Sequence, residues 1–349
     1  EILIGLVGSE MCIRDRDVTA SMYPAIAQNE QRLWYESQEE NLAYYENQAA
    51  EENEQAKQII AENEKAVTEQ PVQQESQNVD ETPTQKESKK PEKKTETSGK
   101  KVSVNRKKLQ DFDYLRQTFY QVDNTTTIGK NQLDVDKLMK PDLRIDQSVD
   151  GPQILIYHTH SQERYADSKD EKTGVVGVGD YLTELLEEEG FQVMHHKGEY
   201  DVGDRDHAYS KAAPSIQKII NDNPSIQVVI DLHRDGVGEN TRLVTTQNGK
   251  KMAKIMFFNG LSRTTASGDI PYLKNPYISD NLAFSFQMQL AAAEYYPDFT
   301  RRIYLKGYRF NMHFCPKSML VEVGAQTNTF EEAKNAMEPL ADLFAKVLK

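Results

Sequence analysis

The chain has 349 residues, with 42 Lys+Arg against 55 Asp+Glu, and its formal net charge of −13 argues against a nucleic-acid binder. The acid is concentrated at the front: residues 1–100 carry 21 Asp/Glu and 11 Lys/Arg, and residues 101–349 carry 34 and 31. A hydrophobic content of 38% lies below the roughly 45–50% of an ordinary domain, so the composition reads as a polar lead attached to one globular domain large enough for a full core.

Residues 2–8 lack the basic flank and small-residue cleavage site of a signal peptide. The string LVGSEMCIRDR at 6–16 resembles translated sequencing-adapter sequence, so residues 1–16 are expected to be a gene-model artefact that hides the true N-terminus. Residues 17–110 read as a polar stalk and disordered linker. The stretch 28–66 is rich in Gln, Glu, Asn and Ala, with Leu33, Trp34, Leu42, Tyr44 and Tyr45 as its large side chains. Pro71, Pro83 and Pro91 then punctuate a segment too polar to offset the entropy of ordering. No run approaches the ~18 consecutive apolar residues of a membrane-spanning helix. The two cysteines, Cys12 and Cys315, are too few for a disulfide framework or a thiolate zinc cluster.

Order is expected to resume near Asp111, where Phe112, Tyr114, Leu115, Phe119, Tyr120 and Val122 restore aromatic density, and the globular domain is placed at 111–349. Beyond Pro152 strands and helices alternate. The runs 154–157, 228–232 and 319–323 are of the continuous apolar, buried-strand type; shorter strands are expected at 191–194, 243–246 and 254–258. Helical spacing marks 181–189, closed by Gly190, and 208–222, which ends before Pro224. A longer helix at 280–296 stops at Pro297, and the last covers 331–348. His207 is expected to open the second of these helices. The alternation predicts an α/β fold with a mainly parallel twisted sheet and helices on both faces, in which ligands bind beyond the carboxyl ends of the strands.

Those ends carry the chemistry. After the first strand come His158, His160 and Glu163; after the second, His233, Arg234 and Asp235; the third contains Glu322. His160 and Glu163 form an H-x-x-E pair whose side chains reach one ion from a single loop, and His233 completes a His₂Glu set of the kind that holds catalytic Zn²⁺ with a position left for water. Glu322, a carboxylate between apolar residues of a buried strand, fits the base that takes a proton from that water and passes it to the leaving amine, against the alternative of a structural salt bridge. Alternate residues leaving a strand point to opposite sides, so one of His158 and His160 is expected to ligate, and strand register selects His160. Asp231 either holds His233 or caps the next helix. Arg234 either binds a substrate carboxylate or forms a surface ion pair with Asp235. His313 either stabilises a tetrahedral intermediate or is structural. His195 and His196, beside Lys197 and Glu199, read as surface residues, and Cys315 as a small buried side chain.

Four segments, GPQILIYHTHSQE (151–163), VVIDLHRDG (228–236), MFFNG (256–260) and SMLVEVGAQTN (318–328), resemble the stage II sporulation protein P family of endospore-forming bacteria. The likeness runs from about Asp111 to the C-terminus. It implies an amidase-like fold and a zinc-dependent peptidoglycan hydrolase related to the N-acetylmuramoyl-L-alanine amidases, with endopeptidase action on stem-peptide crosslinks also credited to the family. Its pattern maps metal and catalytic positions onto His160, Glu163, His233 and Glu322, although related amidases take their ligand Glu from the start of the following helix, where this chain offers Asp180 and Glu184. It further implies action in forespore engulfment beside sporulation proteins D and M, outside the cytoplasm, on an N-terminal anchor in the mother-cell membrane that these residues do not contain. Two other readings are an inactive wall-binding scaffold of the engulfment machinery and a metallocarboxypeptidase-like enzyme acting on a free peptide terminus.

Overall fold

A computed structural model describes residues 101–349 apart from Ser267; the expected artefact at 1–16 and most of the stalk and linker at 17–110 lie outside the described residues. Packing extends ahead of the expected boundary at 111: Val102 N–H donates to Glu294 O at 2.7 Å, and Leu109 is buried. In chain order the elements are α1 (Arg106–Leu109), α2 (Phe112–Phe119), β1 (Tyr120–Val122), α3 (Val135–Leu138), β2 (Ile154–Tyr157), α4 (Val175–Glu188), β3 (Val193–His195) and α5 (Ala208–Asp222). They continue with β4 (Val228–Asp235), β5 (Val244–Gln247), β6 (Lys250–Ala253), β7 (Ile255–Gly260), β8 (Arg263–Thr264), β9 (Gly268–Asp269), α6 (Ile278–Tyr295), β10 (Ile303–Lys306), β11 (Lys317–Ala325) and α7 (Phe330–Leu348).

Seven strands form one sheet in the order β1-β10-β7-β11-β4-β2-β3. The α/β alternation is as expected from the sequence, and within this sheet all but one of the strand pairings are parallel. The exception is β11 with β7, which run antiparallel with Val321 opposite Phe257 and Glu322 opposite Met256. The carboxyl ends of β2, β4 and β11 therefore share one edge, and β7, β10 and β1 point the other way.

Alternation along the strands divides the core. Ile154, Ile156, Val228, Ile230, Leu232, Met319, Val321 and Val323 pack with residues of α4, α6 and α7 in the larger cluster. On the opposite face, Leu155, Tyr157 and Val229 meet Ala212 and Ile216 of α5, while Met256, Phe258, Tyr304 and Leu320 are covered by Met312 and Phe310 of the loop before β11. Helices thus lie on both faces but unequally. A fully buried Val, Leu or Ile contributes roughly 1.5–3 kcal/mol, so the three-helix face carries most of the cohesion.

Helix α4 starts at Val175 rather than near 181 because Gly177 and Gly179 belong to it. A Cβ at Gly177 would sit 1.9 Å from Lys172 O, so the close approach of the preceding turn requires the glycine. His207 stands at the N-cap of α5, as expected. Helix α7 opens with a reciprocal capping box between Thr329 and Glu332. Among the described residues, no helix is long and apolar enough to cross a membrane.

Candidate active site

Because Ile230 and Leu232 face the helices, Asp231 and His233 project from the other side of β4. The β4–β11 register sets Glu322 beside His233 on that face. His160, in the loop after β2, brings its ring edge-on to that of His233, with centroids 5.3 Å apart. Tyr209 of α5 closes over the pair. Its ring is edge-on to His160 at 5.6 Å and nearly parallel to His233 at 6.4 Å.

Glu163 is buried, and its Oε2 lies 3.5 Å from His233 Nδ1 while accepting the Arg234 backbone N–H at 3.0 Å. Its Oε1 accepts from Arg205 Nη2 at 2.6 Å. On the far side of the imidazole, His233 Nε2 is 2.7 Å from Asp231 Oδ1, a close ionic contact without aligned hydrogen-bond geometry. Asp231 is itself held by Thr159, whose N–H and Oγ1 donate to it at 2.8 and 2.6 Å. Asp231 is thereby placed against His233. The His160 loop is pinned by Asp201, which accepts from Ser161 Oγ at 3.1 Å and from the Gln162 N–H at 3.2 Å.

The electrostatics follow from this crowding. Burial, helped by the neighbouring His233 and Arg205, pushes His160 down to about 3, which leaves its imidazole neutral at physiological pH. Burial also works against charge on His233, but Asp231 and Glu163 override it and carry its pKa well above the usual value. Glu163 resists the upward pull of burial and is held well below the carboxylate range by His233 and Arg234. Glu322 behaves oppositely. Burial, with Asp235 and Glu163 adding to it against His233 and Arg234, pushes it up to about 8. Glu322 retains some surface exposure, yet its Oε2 is buried with no hydrogen-bond partner, and the salt bridge considered for it is not formed among the described residues.

The remaining candidates are dispersed. His158 turns to the opposite face, where Nδ1 bonds Leu232 O at 2.7 Å and Nε2 meets His195 Nε2 at 2.8 Å, so it does not share the cleft with His160. Arg234 does not form the expected ion pair with Asp235: its Nε donates to Arg164 O at 3.0 Å and its Nη1 to the Asp235 backbone O at 3.2 Å, and the Asp235 carboxylate pairs with Arg301 at 2.5 Å instead. The His313 ring lies tilted against that of Phe314 with centroids 4.6 Å apart, and burial with Arg309 nearby drives its pKa to about 3. Asp180 bonds His195 and Lys197, and Glu184 is exposed, so neither enters the cleft. His195 is not a surface residue, with a side chain 5% exposed. Cys315 is buried and free.

Two participants have no counterpart in the sequence reading. Tyr209 could have been found from its spacing with Ala212 and Ile216, which places it on the buried face of α5. Arg205 lies 42 residues from Glu163 in the turns that precede α5 and leaves no local signal.

Among the described residues, no three His, Cys, Asp or Glu side chains stand at metal-ligand spacing, and one Glu163 oxygen is engaged by Arg205. The donor set nonetheless fits a borderline-soft divalent ion. It comprises two imidazoles and a carboxylate, with His160 Nδ1 buried, without a hydrogen-bond partner and 3.9 Å from Asp201 Oδ2. The Glu163 carboxylate that favours a proton on His233 also favours a cation on the Nδ1 side of that ring.

A family model described as Stage II sporulation protein P matches residues 25–345. Stage II sporulation protein P of Bacillus subtilis (strain 168) is 23% identical over 245 residues, covering 64% of this chain and 58% of that relative's length. Among solved structures, the chain is similar to N-acetylmuramoyl-L-alanine amidase AmiC2 of Nostoc punctiforme, at 12% identity and a TM-score of 0.35 over 58% of this chain and 96% of that one. It is likewise similar to the N-acetylmuramoyl-L-alanine amidase from Clostridium difficile 630, at 13% identity and a TM-score of 0.34 over 57% and 95%.

Proposed function

The chain belongs to the stage II sporulation protein P family, and from that premise we propose that it is a zinc-dependent peptidoglycan hydrolase of sporulation that cleaves the amide between N-acetylmuramic acid and L-alanine. The observation that carries this reading is the pairing in register of Glu322 with His233, beside His160 and Glu163, with a Glu322 oxygen buried and unpartnered.

His160, Glu163 and His233 would hold the ion, which when bound supplies Lewis-acid polarisation of the amide carbonyl and a more acidic water. Asp231, fixed by Thr159, orients His233 so that its Nδ1 faces Glu163. Arg205 neutralises Glu163 and has to yield that oxygen if Glu163 binds the ion through it. Glu322, set near neutrality, takes a proton from the attacking water as the new C–O bond forms. It returns the proton to the amide nitrogen as the C–N bond breaks, leaving a lactyl carboxylate and a free L-alanine amine.

In the same reading the domain acts outside the cytoplasm, tethered to the engulfing membrane, with sporulation proteins D and M as partners. The test is digestion of purified peptidoglycan by the full chain, with products identified by mass spectrometry. Release of stem peptides with a free L-alanine amine, abolished by chelation and restored by zinc, is expected. Products cut only within crosslinks, or only at free carboxyl termini, would move the activity to the endopeptidase or carboxypeptidase class, and no products at all would favour the scaffold.

A further inference from the structure

On the face covered by α4, α6 and α7, a second group of polar side chains is assembled that the cleft does not use. His158 is fully buried, and because the Leu232 carbonyl 2.7 Å away can only accept, His158 Nδ1 is the donor. Its Nε2 meets His195 Nε2 at 2.8 Å with the two rings edge-on. His195 Nδ1 donates to Asp180 Oδ1 at 2.9 Å, and the same oxygen holds Lys197 Nζ at 2.6 Å. With both outer nitrogens donating, the Nε2–Nε2 contact becomes a hydrogen bond when the pair holds one extra proton, whose charge Asp180 would balance. Burial favours neutral rings here, and at His195 Asp180 opposes it. The chain runs from the protein surface at Asp180, through His195 and His158, to the carbonyl of the residue that precedes His233.

Helix α4 is shaped around this pair. A Cβ at Gly179 would lie 2.8 Å from His195 Cε1 and Nε2 and 2.9 Å from His158 Nε2. Those are ring atoms bonded on both sides, so they cannot swing clear as the end of a flexible side chain would. Glycine within a helix costs about 1 kcal/mol relative to alanine, and here it stands where the two imidazoles need the room.

We propose that His195 is a positioning residue that acts through His158 on the Leu232 carbonyl, fixing the end of β4 so that His233 and Asp231 are correctly presented to the cleft. The inference rests on the reading of that cleft as a metal-dependent hydrolytic centre. Leu232 and His233 are consecutive residues on opposite faces of one strand, so a shift of the first carbonyl moves the second side chain. Catalytic and metal sites need their side chains held to about 0.5 Å, and partners that orient a ligand are typically worth ~10–100-fold in metal affinity.

The test compares the full chain with His195→Ala and Asp180→Asn, taking His196→Ala as control because His196 bonds Tyr200 instead. Zinc affinity is measured by competition with a chromogenic chelator, alongside thermal melting of each metal-free protein. His195→Ala is expected to weaken zinc binding about 10–100-fold, Asp180→Asn less, and His196→Ala not at all. Variants that melt earlier yet bind zinc within about twofold of wild type would overturn the proposal and leave the chain a packing feature. If His195→Ala does not fold, Asp180→Asn, which keeps the shape of the side chain, decides by the same criterion. If the wild-type protein binds no zinc, the hydrolase reading falls separately. Positioning is then judged from the His233 ring resonances in ¹⁵N-histidine spectra: a shift in Asp180→Asn supports it, and unchanged resonances overturn it.

Discussion

The two faces of β4 and β11 have opposite characters. On one, Ile230, Leu232, Val321 and Val323 are sealed against helices; one residue along, Asp231, His233 and Glu322 gather around a cleft. The period of two lets neighbouring residues of the same strand serve cohesion and chemistry separately. His158 sharpens the contrast, because it is a polar group on the apolar face and is tolerated there only with both ring nitrogens occupied.

Substitutions on each face should separate the two roles. The largest effect is expected from Glu322→Gln, which should lower the rate of muropeptide release about 10²–10⁴-fold, the usual contribution of a general base, while circular dichroism stays unchanged. Activity within tenfold of wild type, roughly, would remove Glu322 from that role. On the other face, Ile230→Ala should cost about 2–5 kcal/mol in denaturant unfolding, and turnover per folded molecule should persist. A loss of turnover without a loss of stability would break the division. Asp231→Asn, which keeps shape but removes charge beside His233, should weaken zinc binding ~10–100-fold in a chelator competition.

The smallest effect concerns pH. Glu322 is raised from 4.5 to about 8, so the stability attached to its protonated form is complete below about pH 4.5 and is lost as pH rises through 8. Glu322→Gln cannot lose that proton. The metal-free variant should therefore gain on metal-free wild type in melting temperature by several degrees between about pH 5 and pH 9. A gap that does not change with pH would place the Glu322 pKa near its ordinary value.

Much of this architecture is legible in the sequence. The runs 154–157, 228–232 and 319–323 read directly as strands because each is continuously apolar, and their ends carry His160, Glu163, His233 and Glu322. The ladder extends β4 to Asp235 and β11 from Lys317 to Ala325 because backbone pairing does not stop where apolar side chains do. The antiparallel junction of β7 with β11 is invisible locally, since strand direction is set by the whole topology. Gly177 and Gly179 hide the first turns of α4: one makes room for the turn just before the helix and the other for His158 and His195, which lie elsewhere in the chain. His195 reads as exposed beside Lys197 and Glu199, and only the packing of β3 against α4 buries it.

The most direct measurement is X-ray absorption at the zinc edge on the purified chain and on His233→Ala. The account predicts one zinc per chain bound by two imidazole nitrogens and carboxylate oxygen, with the signal lost in the variant. An equal zinc signal in both proteins, or a wild-type coordination shell without imidazole, would contradict it.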